Sequence, residues 1–305
     1  MKRWLSVGIV LAILAAPGTL EAQATGPVIL RLPGSPRGPS LGDALVAMRG
    51  SDAVFSTPAT ISLNSGTALS VSRFGSASTL GTLATSTQIG RVGLAAGVQW
   101  LEFPFDDTVL EYTPGLLVSA DGTSATDLAA MGALSYPIKG FLTGVAVRYV
   151  EERVAEDYAG SVTFDAGVFR NLGNLDVGLA VQNLGQDLES AAGRESPPPT
   201  RVTLGATLPR VMVGTFFDLA ATAAIGWERS WGVTAGGGVE LSYLPLEGYG
   251  FSLRAGIRRV STEQDPHPWP LAVGATFGLD QFRIDYGFEP SVGGSTVHRL
   301  GLRIQ

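Results

Sequence analysis

The chain has 305 residues, a formal net charge of −6, 45% hydrophobic and only 16% charged residues, 40 glycines and no cysteine. Charged residues make up about 25% of a usual soluble domain, so this composition points away from one. The acidic balance gives no support to nucleic-acid binding, which favours a basic face, and the absence of cysteine excludes disulfides, thiolate metal sites and cysteine nucleophiles.

Met1–Ala24 reads as a secretory signal peptide: Lys2 and Arg3 form the charged start, Val7–Ala16 the apolar run, Pro17-Gly18 a break, and Ala22-Gln23-Ala24 a small-x-small cleavage site, with cleavage after Ala22 as the alternative. The apolar run is too short to span a membrane as a helix, and no later stretch reaches about 18 consecutive apolar residues. Pro27–Ser40 is Pro- and Gly-rich and is predicted to be extended or irregular; Leu41–Met48 suits one or two helical turns, and Asp52–Leu63 a compact segment with turns. None of these alternates in polarity. Residues 25–66 are therefore expected to form a plug inside a barrel made by residues 67–305, with Asp43, Asp52, Phe55, Thr57 and Pro58 as its candidate residues for either a gate or a static stopper.

From Thr67 onward a period of two takes over, the mark of strands. Arg91–Leu101 sets Val92, Leu94, Ala96, Val98 and Trp100 against Gly93, Ala95, Gly97 and Gln99; Asp176–Gly185 and Thr200–Leu208 repeat the pattern around a loop ending in Pro197-Pro198-Pro199. The bulky face is aliphatic and the other face small or polar, the reverse of a soluble sandwich core and the pattern of a barrel with lipid outside. About fourteen strands are expected, near 67–74, 82–89, 91–101, 124–135, 141–151, 158–170, 174–183, 200–208, 214–226, 230–243, 249–259, 269–279, 281–288 and 296–304. Short turns around Gly90, Tyr136–Gly140, Arg170–Gly173, Pro209–Val213, Leu244–Gly248 and Asp280 alternate with the longer loops Glu102–Thr123, Leu184–Pro199, Val260–Pro268 and Glu289–Ser295. Outer-membrane barrels alternate short periplasmic turns with longer external loops in this way. The tight turn at Glu228-Arg229 is the exception, and aromatic residues near strand ends, Trp231 among them, suit interfacial girdles. The fold class is all-β: a transmembrane antiparallel β-barrel of about fourteen strands with a short N-terminal plug, exported to a bacterial outer membrane.

Catalysis finds no support. His267 and His298 pair with neither each other nor a serine, and no metal-ligand spacing occurs; no enzyme activity, metal or cofactor is expected. Gly236–Gly238 lies within a strand and is a packing feature, not a phosphate cradle. Strand parity turns Asp127, Arg148, Asp165, Asp176, Gln182, Glu240, Arg254, Arg258, Arg283, Asp285, Arg299 and Arg303 inward, since a charge facing lipid at mid-depth costs roughly 2–4 kcal/mol. A lumenal salt-bridge lattice is one reading. The other makes Arg148, Arg254, Arg258, Arg283, Asp285 and Arg299 a ligand site, the arginines binding an anionic head group, with Arg254 and Arg283 replaceable by Gln without unfolding. The apolar loop Glu102–Thr123 is a candidate lid, capture surface or docking site.

Four places resemble the fatty-acid-transporter-like outer-membrane barrels, and within them the PorV/PorQ type linked to type IX secretion. They are Leu41-Gly42-Asp43-Ala44 with Asp52-Ala53 and Thr57-Pro58-Ala59; Asn183-Leu184-Gly185 with Pro199 to Gly205; Leu253-Arg254-Ala255-Gly256; and Arg283-Ile284-Asp285-Tyr286 with Val297 to Arg303. Thr57 stands where the family carries Asn. The resemblance implies an outer-membrane protein acting in secretion or transport. Its partners would be membrane lipid together with secretion-apparatus subunits or exported proteins, or hydrophobic or amphipathic small molecules such as fatty acids if it is an uptake channel; a mainly structural role is the third alternative. Asn183-Leu184-Gly185 is expected at the outer rim as a strand-ending turn.

Overall fold

A computed structural model describes residues 26–63, 65–75, 78–103, 125–154, 157–190, 193, 195–260, 271–290 and 296–305. The expected signal peptide, most of the Glu102–Thr123 loop, His267 and Trp269 lie outside the described residues.

Alternation of aliphatic and small residues gives β1 (Gly66–Phe74), β2 (Ser78–Ile89), β3 (Val92–Phe103), β4 (Ala125–Ile138), β5 (Phe141–Val154), β6 (Asp157–Asn171) and β7 (Asp176–Gly185). Two short pieces, β8 (Leu188–Ser190) and β9 (Glu195–Ser196), follow in a loop. The second half is β10 (Arg201–Val213), β11 (Phe217–Glu228), β12 (Gly232–Leu246), β13 (Tyr249–Val260), β14 (Leu271–Leu279), β15 (Phe282–Pro290) and β16 (Thr296–Ile304). Apart from β8 and β9, fourteen strands pair antiparallel in sequence, β7 pairs with β10, and β16 returns to β1. The fourteen-stranded wall therefore closes on itself.

Parity settles which face is which. Along β5, Val145, Val147 and Tyr149 are exposed outside while Ala146, Arg148 and Val150 are buried inside. Leu69, Val71, Leu83, Ile225, Leu253, Ile284 and Leu300 continue the outer aliphatic belt, each about half exposed. Leaving such an area in water would cost about 25 cal/mol per Å², so the belt is built for hydrocarbon. At the short-turn end Tyr136, Phe141, Phe217, Tyr243, Tyr249 and Phe282 are exposed around the rim, and Arg91 and Arg170 stack over Tyr136 and Phe141 at 5.4 and 4.6 Å.

Three boundaries differ from the sequence reading. Pro209–Val213 is not a turn, and of Leu244–Gly248 only the last two residues are: β10 and β12 run on through Pro209 and Pro245, with register shifts at Leu208/Val211 and Tyr243/Leu246. A bulge takes up a proline that has no N–H for the ladder, and the turns fall at Gly214–Phe216 and Glu247-Gly248. Asn183-Leu184-Gly185 are the last three residues of β7 and not a turn. Asn183 is a bulge inside β7 with φ +58°, opposite a register shift between Phe164 and Ala166. Trp231 sits in a turn beneath Arg31, whose guanidinium lies 5.4 Å from the indole ring.

Residues 26–63 contain almost no regular structure: 3-10 turns at Val28–Leu30, Ala53–Phe55 and Pro58–Leu63, and a single helical turn, α1 (Arg37–Ser40), where an irregular stretch was expected. Leu41–Met48, expected as helix, is a chain of turns. The segment is nonetheless buried, because it runs along the inner wall. Its last 3-10 turn packs on β2 to β6 and α1 on β13 to β15. Backbone that lacks its own ladder must find other partners, and the wall supplies them: Thr222 donates to the Ala44 carbonyl (2.6 Å), Thr82 to Gly34 (2.9 Å) and Gln182 to Phe55 (3.0 Å). Inward glycines let the two backbones touch. A Cβ at Gly238 or Gly256 would overlap Leu41 and Gly42, and one at Gly144 would overlap the Pro58 carbonyl. The glycine run 236–238 is thus a seat for the lumenal segment.

Candidate functional site

All six ligand-site candidates, Arg148, Arg254, Arg258, Arg283, Asp285 and Arg299, point inward, but the structure divides them among four surroundings. On one wall Arg148 donates to Asn183 Oδ1 (2.7 Å) and to Asp165 (2.8 Å), and the Asn183 N–H donates to the other Asp165 oxygen (2.8 Å). The left-handed backbone at Asn183 turns this amide into the lumen, where it also donates to the Pro199 carbonyl (3.1 Å). Nothing in the spacing of Asn183 from Arg148 signals this pairing; it arises from the bulge.

On the opposite wall Arg254 is enclosed. It meets Glu240 (3.3 Å), Asp285 (3.1 Å), the Ala275 carbonyl (3.1 Å) and Ser40 of the lumenal segment (3.2 Å). Asp285 also receives Arg303 (2.6 Å). Higher in the barrel, Arg258 pairs with Asp43 and lies 3.8 Å from Glu289, which Arg299 reaches at 2.8 Å while stacking on Phe74. Arg283 differs from all of these: it forms no hydrogen bond or ion pair among the described residues and faces open volume.

The plug candidates lie along the same path. Asp43 holds Arg258; Asp52 is buried against Arg37 (3.3 Å). Burial opposes the charged form of Asp52, but Arg37 and Arg303 outweigh it and hold the carboxyl below its ordinary value. Phe55 stands against Gly34 and Gly97, and Thr57 and Pro58 against Gly167 and Gly144. Sequence reasoning missed the segment's own cations. Arg31 binds Glu228 and Ser230, both at 2.8 Å, and Arg49 binds Asp176 at 3.1 Å. Those partners lie more than 100 residues away, so no local pattern announces them. His298 faces outward, bonded to Tyr286 (2.7 Å).

Two cavities flank the segment. One, of about 80 Å³, lies toward the long-loop end between the segment and β10 to β13; Leu32, Val46, Phe55, Trp231, Arg148 and Arg258 are among its walls. The other, of about 450 Å³, opens at the short-turn end.

This is a closed fourteen-stranded membrane barrel whose lumen is occupied by its own N-terminal segment. The toluene transporter TodX of Pseudomonas putida has a similar fold (TM-score 0.59, 11% identity, 93% of this chain and 98% of that one covered). So do the monoaromatic hydrocarbon channel CymD (TM-score 0.55, 11% identity, 88% and 96%) and a Pseudomonas aeruginosa FadL homologue (TM-score 0.52, 11% identity, 88% and 98%). The fold is FadL-like. No protein-family model matches the chain, and no curated protein matches it.

Proposed function

We propose that the protein resides in a bacterial outer membrane and admits small hydrophobic molecules, the lumenal segment acting as its gate. The reading rests on one observation: a lumen with a cavity at each end, divided by a segment held through polar contacts and turns. The outer cavity, at about 80 Å³, is roughly half the ~150 Å³ of an apolar cavity that takes up benzene. Passage of even one aromatic ring therefore requires the segment to shift. Because that segment carries so little regular structure of its own, small displacements break few ladder hydrogen bonds.

The likeness to hydrocarbon channels supports uptake over the secretion-accessory reading that the PorV/PorQ resemblance suggested. The direct test is uptake of radiolabelled toluene and of a long-chain fatty acid by cells lacking their own hydrophobic channels, with and without this chain. Faster uptake of either supports the reading. Uptake equal to the empty vector, with the barrel folded in the outer membrane and a translocon subunit co-purifying, would replace it with the secretion role.

A further inference from the structure

Arg283 and Arg303 stand directly opposite each other on β15 and β16, both inward-facing. Like charges directly opposed across a ladder are unfavourable. Arg303 is relieved by Asp285, which it grips through two hydrogen bonds (2.6 and 3.0 Å); Arg283 has no such relief. Both line the chamber of about 450 Å³ at the short-turn end, together with Arg37, Arg49 and Arg210. The side chains of Arg49 and Arg210 are 46% and 41% exposed, so the chamber is wet and open to that side.

Charge counting shows what is lacking. The chamber's arginines and Arg254 make six guanidiniums. Their carboxylate partners are Asp52, Asp176, Glu240 and Asp285, with Glu240 shared by Arg210 and Arg254 and Asp285 shared by Arg254 and Arg303. Arg283 also borders a recess at the rim with Glu247 and Asp280 but bonds to neither among the described residues, and Asp218, inward by parity on β11, does not line the chamber. Six guanidiniums thus meet four carboxylate partners, and the one that pairs with none among the described residues is Arg283.

We propose that this chamber is an oxyanion-binding site, entered from the short-turn side, in which a phosphate or carboxylate group bridges Arg283 and its neighbouring guanidiniums. A planar fork with all its donors free is suited to two-point contact with such a group. The segment forms one wall of the chamber through Arg37 and Ala47–Arg49, but entry from the short-turn side needs no passage through it, so occupancy is measurable whether or not the barrel transports anything.

The test is equilibrium binding of inorganic phosphate, and separately of dodecyl phosphate, to the full barrel in a neutral detergent, for wild type, Arg283→Gln, Arg283→Lys and Arg73→Gln. Arg73 lies at the opposite end of the barrel, bonded to Thr79 (2.8 Å). Arg283→Gln should weaken binding about tenfold, the scale of one lost charge-assisted contact. Arg283→Lys should recover part of it, and Arg73→Gln should leave it unchanged. Binding of both probes identifies a site for free oxyanions; binding of dodecyl phosphate alone identifies a head-group site. Wild type that binds neither, or Arg283→Gln that binds as wild type with its folded gel mobility intact, overturns the proposal.

Discussion

Arg148 and Asn183 are joined by a 2.7 Å hydrogen bond across the lumenal face of β5 to β7, and the asparagine is in a left-handed conformation at the β7 bulge. The amide both fixes the bulge and completes the shell of a buried Arg148–Asp165 pair. Asn183→Ala should therefore destabilise the barrel by about 3 kcal/mol, combining the loss of a bond to a charged group with the cost of alanine at positive φ. Asn183→Gly should cost less, since glycine keeps the backbone. Urea titration of both variants in detergent checks the order; equal costs would show that backbone conformation contributes little.

Arg254 carries a different expectation from the one its parity alone suggested. It holds two buried carboxylates apart from each other, and Arg254→Gln leaves Glu240 and Asp285 short of a cation. Removal of one member of a buried charge network costs about 3–5 kcal/mol. The variant is expected to lose heat resistance on a gel before it loses any binding, whereas Arg283→Gln is expected to keep it.

A disulfide lock isolates the gate. A Cβ at Gly287 would stand 3.5 Å from that of Pro36, within the range of about 3.5–4.5 Å that disulfides require, and the chain has no other cysteine. In the double variant P36C/G287C, oxidation should bring hydrophobic uptake close to background and reduction should restore it. Full uptake by the oxidised barrel would sink the moving-segment mechanism while leaving the channel itself intact.

Acid should loosen the same segment. Asp52 is held below its ordinary value, so the Arg37–Asp52 pair contributes stability that is present above the unfolded aspartate value of about 3.9. That contribution is lost as pH falls through the lower native value. Hydrogen exchange across residues 31–52, corrected for intrinsic rates, should accelerate in that window while the strands stay protected. Asp52→Asn should exchange fast at every pH; a variant that matches wild type would remove Asp52 from the account.

The barrel was written in the sequence because its solvent is two-sided. Each strand must present aliphatic side chains to lipid and small or polar ones to the lumen, so Val145, Val147 and Tyr149 against Ala146 and Arg148 reveal both strand and facing, and all fourteen wall strands follow from that rule. Prolines misled the reading at Pro209 and Pro245, because a missing N–H can be taken up by a bulge as well as by a turn. Parity also found the inward charges, since none of them can face hydrocarbon.

What each charge does was decided by tertiary structure alone. Arg254 and Arg283 are alike in sequence terms, two inward arginines on neighbouring parts of the wall; one is enclosed by Glu240, Asp285 and Ser40 and the other faces open volume. Alternation has a range of one residue and records which side of the sheet a group faces. Its neighbours there are set by register across strands and by a lumenal segment that meets the wall from as many as 215 positions away, and those distances leave no mark in local pattern.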